Sequence, residues 1–127
     1  MNVEQATTRQ FKAIFPNTLN ANDSLFGGLA MKWMDEVAYI TATRFTRQRM
    51  FTVSTDKIRF LNPVKPNSII EIVGTIEKVG GVKLFVRTEI FAEDMYSHKR
   101  FKAVEGSFIL AALTEDQKVV PLNLSVV

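Results

Sequence analysis

The chain has 127 residues, 46% of them apolar and 23% charged, with a formal net charge of +3. That is the length of one domain with enough apolar mass to bury a core. The mild charge lacks the concentrated basic stripe of a nucleic-acid binder, and the absence of cysteine excludes a disulfide framework, a thiolate metal site and a cysteine nucleophile.

The first residues, "MNVEQATTRQ", carry no charged-then-apolar targeting pattern, and no apolar run approaches the roughly 18 residues of a membrane span. A cytoplasmic protein that stays off the membrane is expected. "ATTRQFKAIF" (6–15) sets Phe11, Ala13 and Phe15 against Gln10 and Lys12, which predicts a first strand broken by Pro16 and Asn17. "NTLNANDS" reads as a polar loop, with Asp23 or Ser24 capping a helix that begins near Phe26. The helix is predicted to run to about Thr46, where "TRQRM" places two arginines against the negative end of its dipole.

From residue 51 the apolar period shortens towards 2. "FTVSTDKIRFL" (51–61) predicts a strand ended by Asn62-Pro63. "SIIEIVGTIEKV" (68–79) and "VKLFVRTEIFAE" (82–93) predict a hairpin about Gly80-Gly81, glycine accepting positive φ at no steric cost. A looser link, "DMYSHKR", leads to a last strand, "FKAVEGSFILAALT" (101–114). One strand, one helix and four strands in antiparallel succession predict an α+β fold, a long central helix wrapped by a five-stranded antiparallel sheet.

On a helical wheel Lys32, Glu36, Thr43 and Arg47 make only a narrow polar stripe. A helix apolar almost all round is buried almost all round, and one small sheet covers only part of it, so a second subunit is expected over the rest. Asp35 stands in that helix among Met31, Met34, Ala38 and Ala42. An unpaired buried carboxylate costs several kcal/mol, roughly. Asp35 is therefore either a structural acid, paired with an arginine or capping a loop, or a reactive group.

The stretch "NANDSLFGGLAMKWMDEVA" resembles the active-site segment of hotdog-fold acyl-CoA thioesterases, the cytosolic acyl-CoA hydrolase group that includes the YciA type. The resemblance is carried by Asn20, by Gly27-Gly28 seven residues later, and by Met34-Asp35-Glu36. "FTVSTDKIRFLNPVKPNSIIEIVGTIEKVG" is similar to that family's next strands, its Phe-x-x-Pro-Val turn and its Val-Gly hairpin, so the likeness spans roughly residues 11–110. It departs at Asp23 or Ser24, where the family often has Gly. It departs again at Gly81, Val82 and Lys83, where small hydroxyl residues are usual near the coenzyme.

The resemblance implies a single hotdog domain over residues 1–127 and hydrolysis of acyl-CoA to coenzyme A and a free carboxylic acid. It implies no metal and no cofactor, coenzyme A being part of the substrate. In the family the Asn and the Asp of one site come from opposite protomers, so a homodimer is implied, or a hexamer built as a trimer of dimers. Asp35 would act as general base or nucleophile. Unpaired N–H groups at Gly27-Gly28, with Phe26 beside them, would bind the substrate and polarise its carbonyl. Asn20 would orient the attacking water or the thioester.

Lys57, Arg59, Lys83 and Arg87 are the cations placed to meet coenzyme A phosphates, and equally expected on a solvated face. Glu36 is expected to pair with Lys32 on the surface, and His98, the sole histidine, to be solvent-exposed. The rival reading is a non-catalytic acyl-CoA binding or sensing module, which would need neither Asp35 nor Asn20. A hotdog dehydratase would need a catalytic histidine, for which His98 is badly placed.

Overall fold

The computed structural model describes residues 6–16 and 19–124; residues 1–5, the predicted break at Asn17, and Thr18 of the polar loop lie outside the described residues. The elements are β1 (Thr7–Ala13), α1 (Gly27–Thr46), β2 (Arg49–Phe60), β3 (Ser68–Val79), β4 (Lys83–Asp94), β5 (Arg100–Leu113) and a short β6 (Val119–Val120). Helix α1 turns Ala30, Met34, Val37, Ala38, Thr41, Ala42 and Phe45 inward and touches each of β1 to β5. This is the predicted hotdog arrangement, its core filled by Met34, Phe45, Ile70, Ile72, Leu84 and Phe108.

The helix ends differ from expectation. Its N-cap is Phe26, with no side-chain cap, because Asp23 and Ser24 are drawn into a turn around Asn20. Only Arg44 stands in the last turn. Arg47 is left-handed (φ 55°) and closes the helix through its N–H to Thr43 O at 2.7 Å, while Arg49 already begins β2.

The sheet runs in the order β1-β3-β4-β5-β2, all neighbours antiparallel, with β6 added to β5. Strand β2 therefore lies at the far edge and does not lie next to β3, as simple succession would have it. The link between them holds Pro63 and Pro66 and cannot close a tight hairpin. It passes instead beneath the loop before α1, where Leu25 N donates to Val64 O at 2.8 Å.

The β3–β4 turn falls where predicted, but neither glycine takes a positive φ. Gly80 is there for closeness: its N–H donates to Lys83 O at 2.8 Å, and a Cβ would sit 3.1 Å from that oxygen. Strand β1 has the opposite phase to its apolar pattern. Ala6, Thr8 and Ile14 are buried while Phe11 and Phe15 are exposed. Lys12, on the inner face, lays its ammonium over the Trp33 ring, 5.0 Å from the centroid, as a long basic side chain can do with its stem buried.

Gly106 in β5 shows how tightly β2 closes on the sheet. The β2 register shifts between Asp56 and Arg59, with Lys57 at φ 55°. That irregularity swings Ile58 across Gly106, so that an added Cβ would lie 2.2 Å from Ile58 Cδ1 and 3.2 Å from its Cα. Gly106→Ala is expected to destabilise the fold by about 1–3 kcal/mol through overpacking, read as a lower denaturant midpoint. An unchanged midpoint would show that Ile58 yields freely.

Candidate active site

The polar loop before α1 is organised around one side chain. Asn20 Oδ1 accepts hydrogen bonds from Asn22 N (2.8 Å), Ser24 N (3.3 Å) and Ser24 Oγ (3.2 Å). The backbone closes the same turn, Asn20 N donating to Ser24 O at 2.7 Å and Asp23 N to Asn20 O at 3.1 Å. Such side-chain-to-backbone turns are what Asn does well, and the left-handed Asp23 (φ 53°) completes this one. Asn20 and the buried Ser24 then border a cavity of about 340 Å³, together with Gly27, Phe60, Pro63 and Val104.

The N-terminus of α1 opens on this cavity. The N–H groups of Gly27, Gly28 and Leu29 precede the first helical bond, from Ala30 N to Phe26 O at 3.0 Å. Among the described residues no side chain caps them and no acid stands in the first turn, which leaves the positive end of the dipole facing the cavity. Phe26 and Phe60, each 56% exposed, flank the glycines. A Cβ at Gly28 would sit 3.0 Å from the Phe26 ring, so the glycine keeps this approach to the backbone clear.

Asp35 lies eight residues beyond Gly27, about 12 Å farther along the helix axis at 1.5 Å per residue. It borders a different cavity, of about 490 Å³, with Glu36, Tyr39, Ile40 and Thr52. Its partner is Thr52 of β2, whose Oγ1 donates to Asp35 Oδ1 at 2.6 Å. Among the described residues no arginine and no loop N–H reaches the carboxylate, so neither form of the structural-acid alternative is present. Thr52 escaped sequence reasoning because a threonine in an edge strand is unremarkable by itself. Only the folding of β2 against α1 brings it to Asp35.

Three of the four expected phosphate-binding cations, Lys57, Arg59 and Arg87, share a polar cleft of about 270 Å³ with Asp56, Glu77 and Glu105; Lys83 is not among them. Arg87 already donates to Glu105 at 3.1 Å. The hydrogen bond from Lys102, with Arg87 and Arg59 nearby, holds the Glu105 carboxyl below its ordinary range. Lys102 is held above its own, chiefly by Glu89. Glu105 thus offsets Arg87 and Arg59, and none of the four cations borders the cavity of Asn20 or that of Asp35. Glu36 is exposed beside Asp35, and His98 is exposed in the β4–β5 turn.

Among the described residues there is no group of three or more His, Cys, Asp or Glu side chains able to hold a metal ion. No helix among them is long and apolar enough to cross a membrane.

Comparison with known proteins adds a family. The thioesterase superfamily model matches residues 22–97. The acyl-CoA thioester hydrolase YciA of Salmonella typhimurium is 31% identical over 110 residues, covering 84% of this chain and 83% of that protein. The structure resembles an acyl-CoA hydrolase from Staphylococcus aureus solved with butyryl coenzyme A, coenzyme A and coenzyme A disulfide. The TM-score is 0.89 at 26% identity, over 95% of this chain and 74% of that one. Solved forms of that enzyme include alanine mutants at an Asp, a Thr and an Asn. A hexameric thioesterase of Yersinia pestis is likewise similar, with TM-score 0.82 and 26% identity over 89% of this chain and 92% of that one.

Proposed function

The chain belongs to the thioesterase superfamily, and on that premise we propose that it hydrolyses acyl-CoA thioesters to coenzyme A and a carboxylic acid, with Asp35 supplying the base or the nucleophile. The observation that carries this reading is the state of Asp35 itself. A carboxylate on the apolar central helix opens on a cavity, and its partner is one hydroxyl. A binding module has no use for such a group; a hydrolase does. The S. aureus mutants support the same residues, since their Asn, Asp and Thr are spaced along that chain as Asn20, Asp35 and Thr52 are along this one.

In this reading the thioester carbonyl lies against the Gly27-Gly28 N–H groups and Asn20, which polarise it. Phe26 and Phe60 guard the approach. Thr52 holds one oxygen of Asp35 and leaves the other to activate water or to attack. The leaving group is a thiolate and needs no strong acid.

One protomer cannot complete this site if Gly27 and Asp35 are about 12 Å apart along one helix and face separate cavities. The reading therefore requires a second copy, with Asn20 and Gly27 of one protomer facing Asp35 of its partner. Two features support a homodimer. Met31, Trp33 and Ile40 are only partly covered on α1 and Tyr39 is exposed, and β2 offers a 12-residue strand with one edge unpaired among the described residues, a surface that chains manage by pairing or covering. A trimer of such dimers is the extension that the hexameric relative supports. Residues 1–127 then form one hotdog domain per subunit.

The test is release of free thiol from a panel of acyl-CoAs differing in chain length. Turnover of at least one is expected. Tight binding without any thiol release would favour the acyl-CoA sensing module instead.

A further inference from the structure

An asparagine beside a thioester can present either of two chemically opposite edges. With its oxygen towards the substrate it accepts a hydrogen bond and can orient an attacking water. With its amide nitrogen towards the substrate it donates, and can stabilise the negative charge that develops on the carbonyl oxygen. The two edges have nearly the same shape, so the surroundings decide.

Here the surroundings are one-sided. Oδ1 of Asn20 receives Asn22 N at 2.8 Å, Ser24 N at 3.3 Å and Ser24 Oγ at 3.2 Å. Two of these donors are backbone N–H groups, which cannot become acceptors. Turning the amide over would set NH₂ against N–H and strip both of their partner. The third donor is a side chain, and it is the one a mutation can remove. Ser24 is 7% exposed and borders the same cavity as Asn20 and Gly27. Its hydroxyl has no part in capping α1, the N-cap being Phe26.

We infer that Ser24 is a positioning residue that, with the two backbone donors, locks the Asn20 amide with its NH₂ towards the cavity, making Asn20 a donor to the thioester oxygen and not an acceptor for water. The inference rests on the hydrolase reading for its kinetic consequence but on the turn geometry for the lock. Asn20 Nδ2 and the uncapped N–H groups of Gly27 and Gly28 then supply donors to one oxygen from two sides. No titratable side chain is needed for that task.

Because two backbone donors survive the change, Ser24→Ala should lower kcat only about three- to ten-fold, the size of one hydrogen bond acting in the transition state, with KM little altered. Ser24→Thr, which keeps the hydroxyl, should restore most of the loss. In an Asn20→Ala background Ser24→Ala should cost nothing further, since a residue acting only through Asn20 is silent without it. The side-chain ¹⁵NH₂ signals of Asn20, identified by their loss in Asn20→Ala, should shift in Ser24→Ala and rotate faster.

A kcat loss that adds to that of Asn20→Ala, or a lowered melting point with kcat unchanged, would overturn the inference. If the wild-type chain hydrolyses no acyl-CoA, the functional reading fails separately, and the NMR signals still decide. Unchanged Asn20 NH₂ resonances in Ser24→Ala overturn the lock, and shifted ones sustain it.

Discussion

Asp35→Ala is expected to lower kcat for the best acyl-CoA by about 10²- to 10⁴-fold, the range that a positioned base contributes, while leaving the chain folded. The structural cost is modest: half-buried Asp35 gives up one hydrogen bond, from Thr52 Oγ1 at 2.6 Å, worth about 1.5–3 kcal/mol to a charged group. Removing the carboxylate relieves its desolvation, which offsets much of that loss. Alanine on a helix even gains a little propensity. Activity and stability should therefore separate: thiol release collapses and the melting point moves little. Turnover near the wild-type level in Asp35→Ala would remove the proposed mechanism altogether.

A single turnover in ¹⁸O-labelled water divides the two roles left to Asp35. A general base delivers the label directly to the product acid. A nucleophile first forms a mixed anhydride, and water attack on its aspartyl carbonyl sends the label into the protein.

Asn20→Ala should cost about 10²- to 10³-fold in kcat, the usual loss when one donor to a developing oxyanion is removed. The more telling experiment mixes two dead chains. Asn20→Ala and Asp35→Ala subunits, refolded together, should recover about a quarter of wild-type activity, since random pairing makes half of the dimers mixed and each mixed dimer holds one intact site. Recovery follows only if the two residues of a site come from different protomers. Zero recovery, with mixed dimers shown to form, would mean that each chain builds its whole site alone.

Much of the fold was legible because its periods are strong. The run 68–79 and its glycine turn fall where alternation and Gly80-Gly81 put them, and α1 ends at Thr46 as predicted. What misled was local patterning without its partners. Phe11 and Phe15 look like a buried face, yet the strand turns Thr8 and Lys12 towards α1. Asp23 and Ser24 look like helix caps, yet Asn20 outcompetes the helix for them. In both places the residue type allowed two uses, and the neighbour that chose between them is distant in sequence or reaches back by several residues.

The amino-acid sequence by itself determined the parts list: one apolar helix with a carboxylate in its middle, two glycines at its start, an asparagine before them, and strands enough to wrap it. Those features follow from residue type and spacing, which the chain carries wherever it folds. Only the tertiary structure decided that Thr52 holds Asp35, that three donors converge on the Asn20 oxygen, and that Lys57, Arg59 and Arg87 share a cleft with acids instead of a substrate cavity. Contacts of that kind depend on which strand lies beside which, and the order β1-β3-β4-β5-β2 is set by how the whole apolar surface is best buried, a property no short stretch of the chain contains.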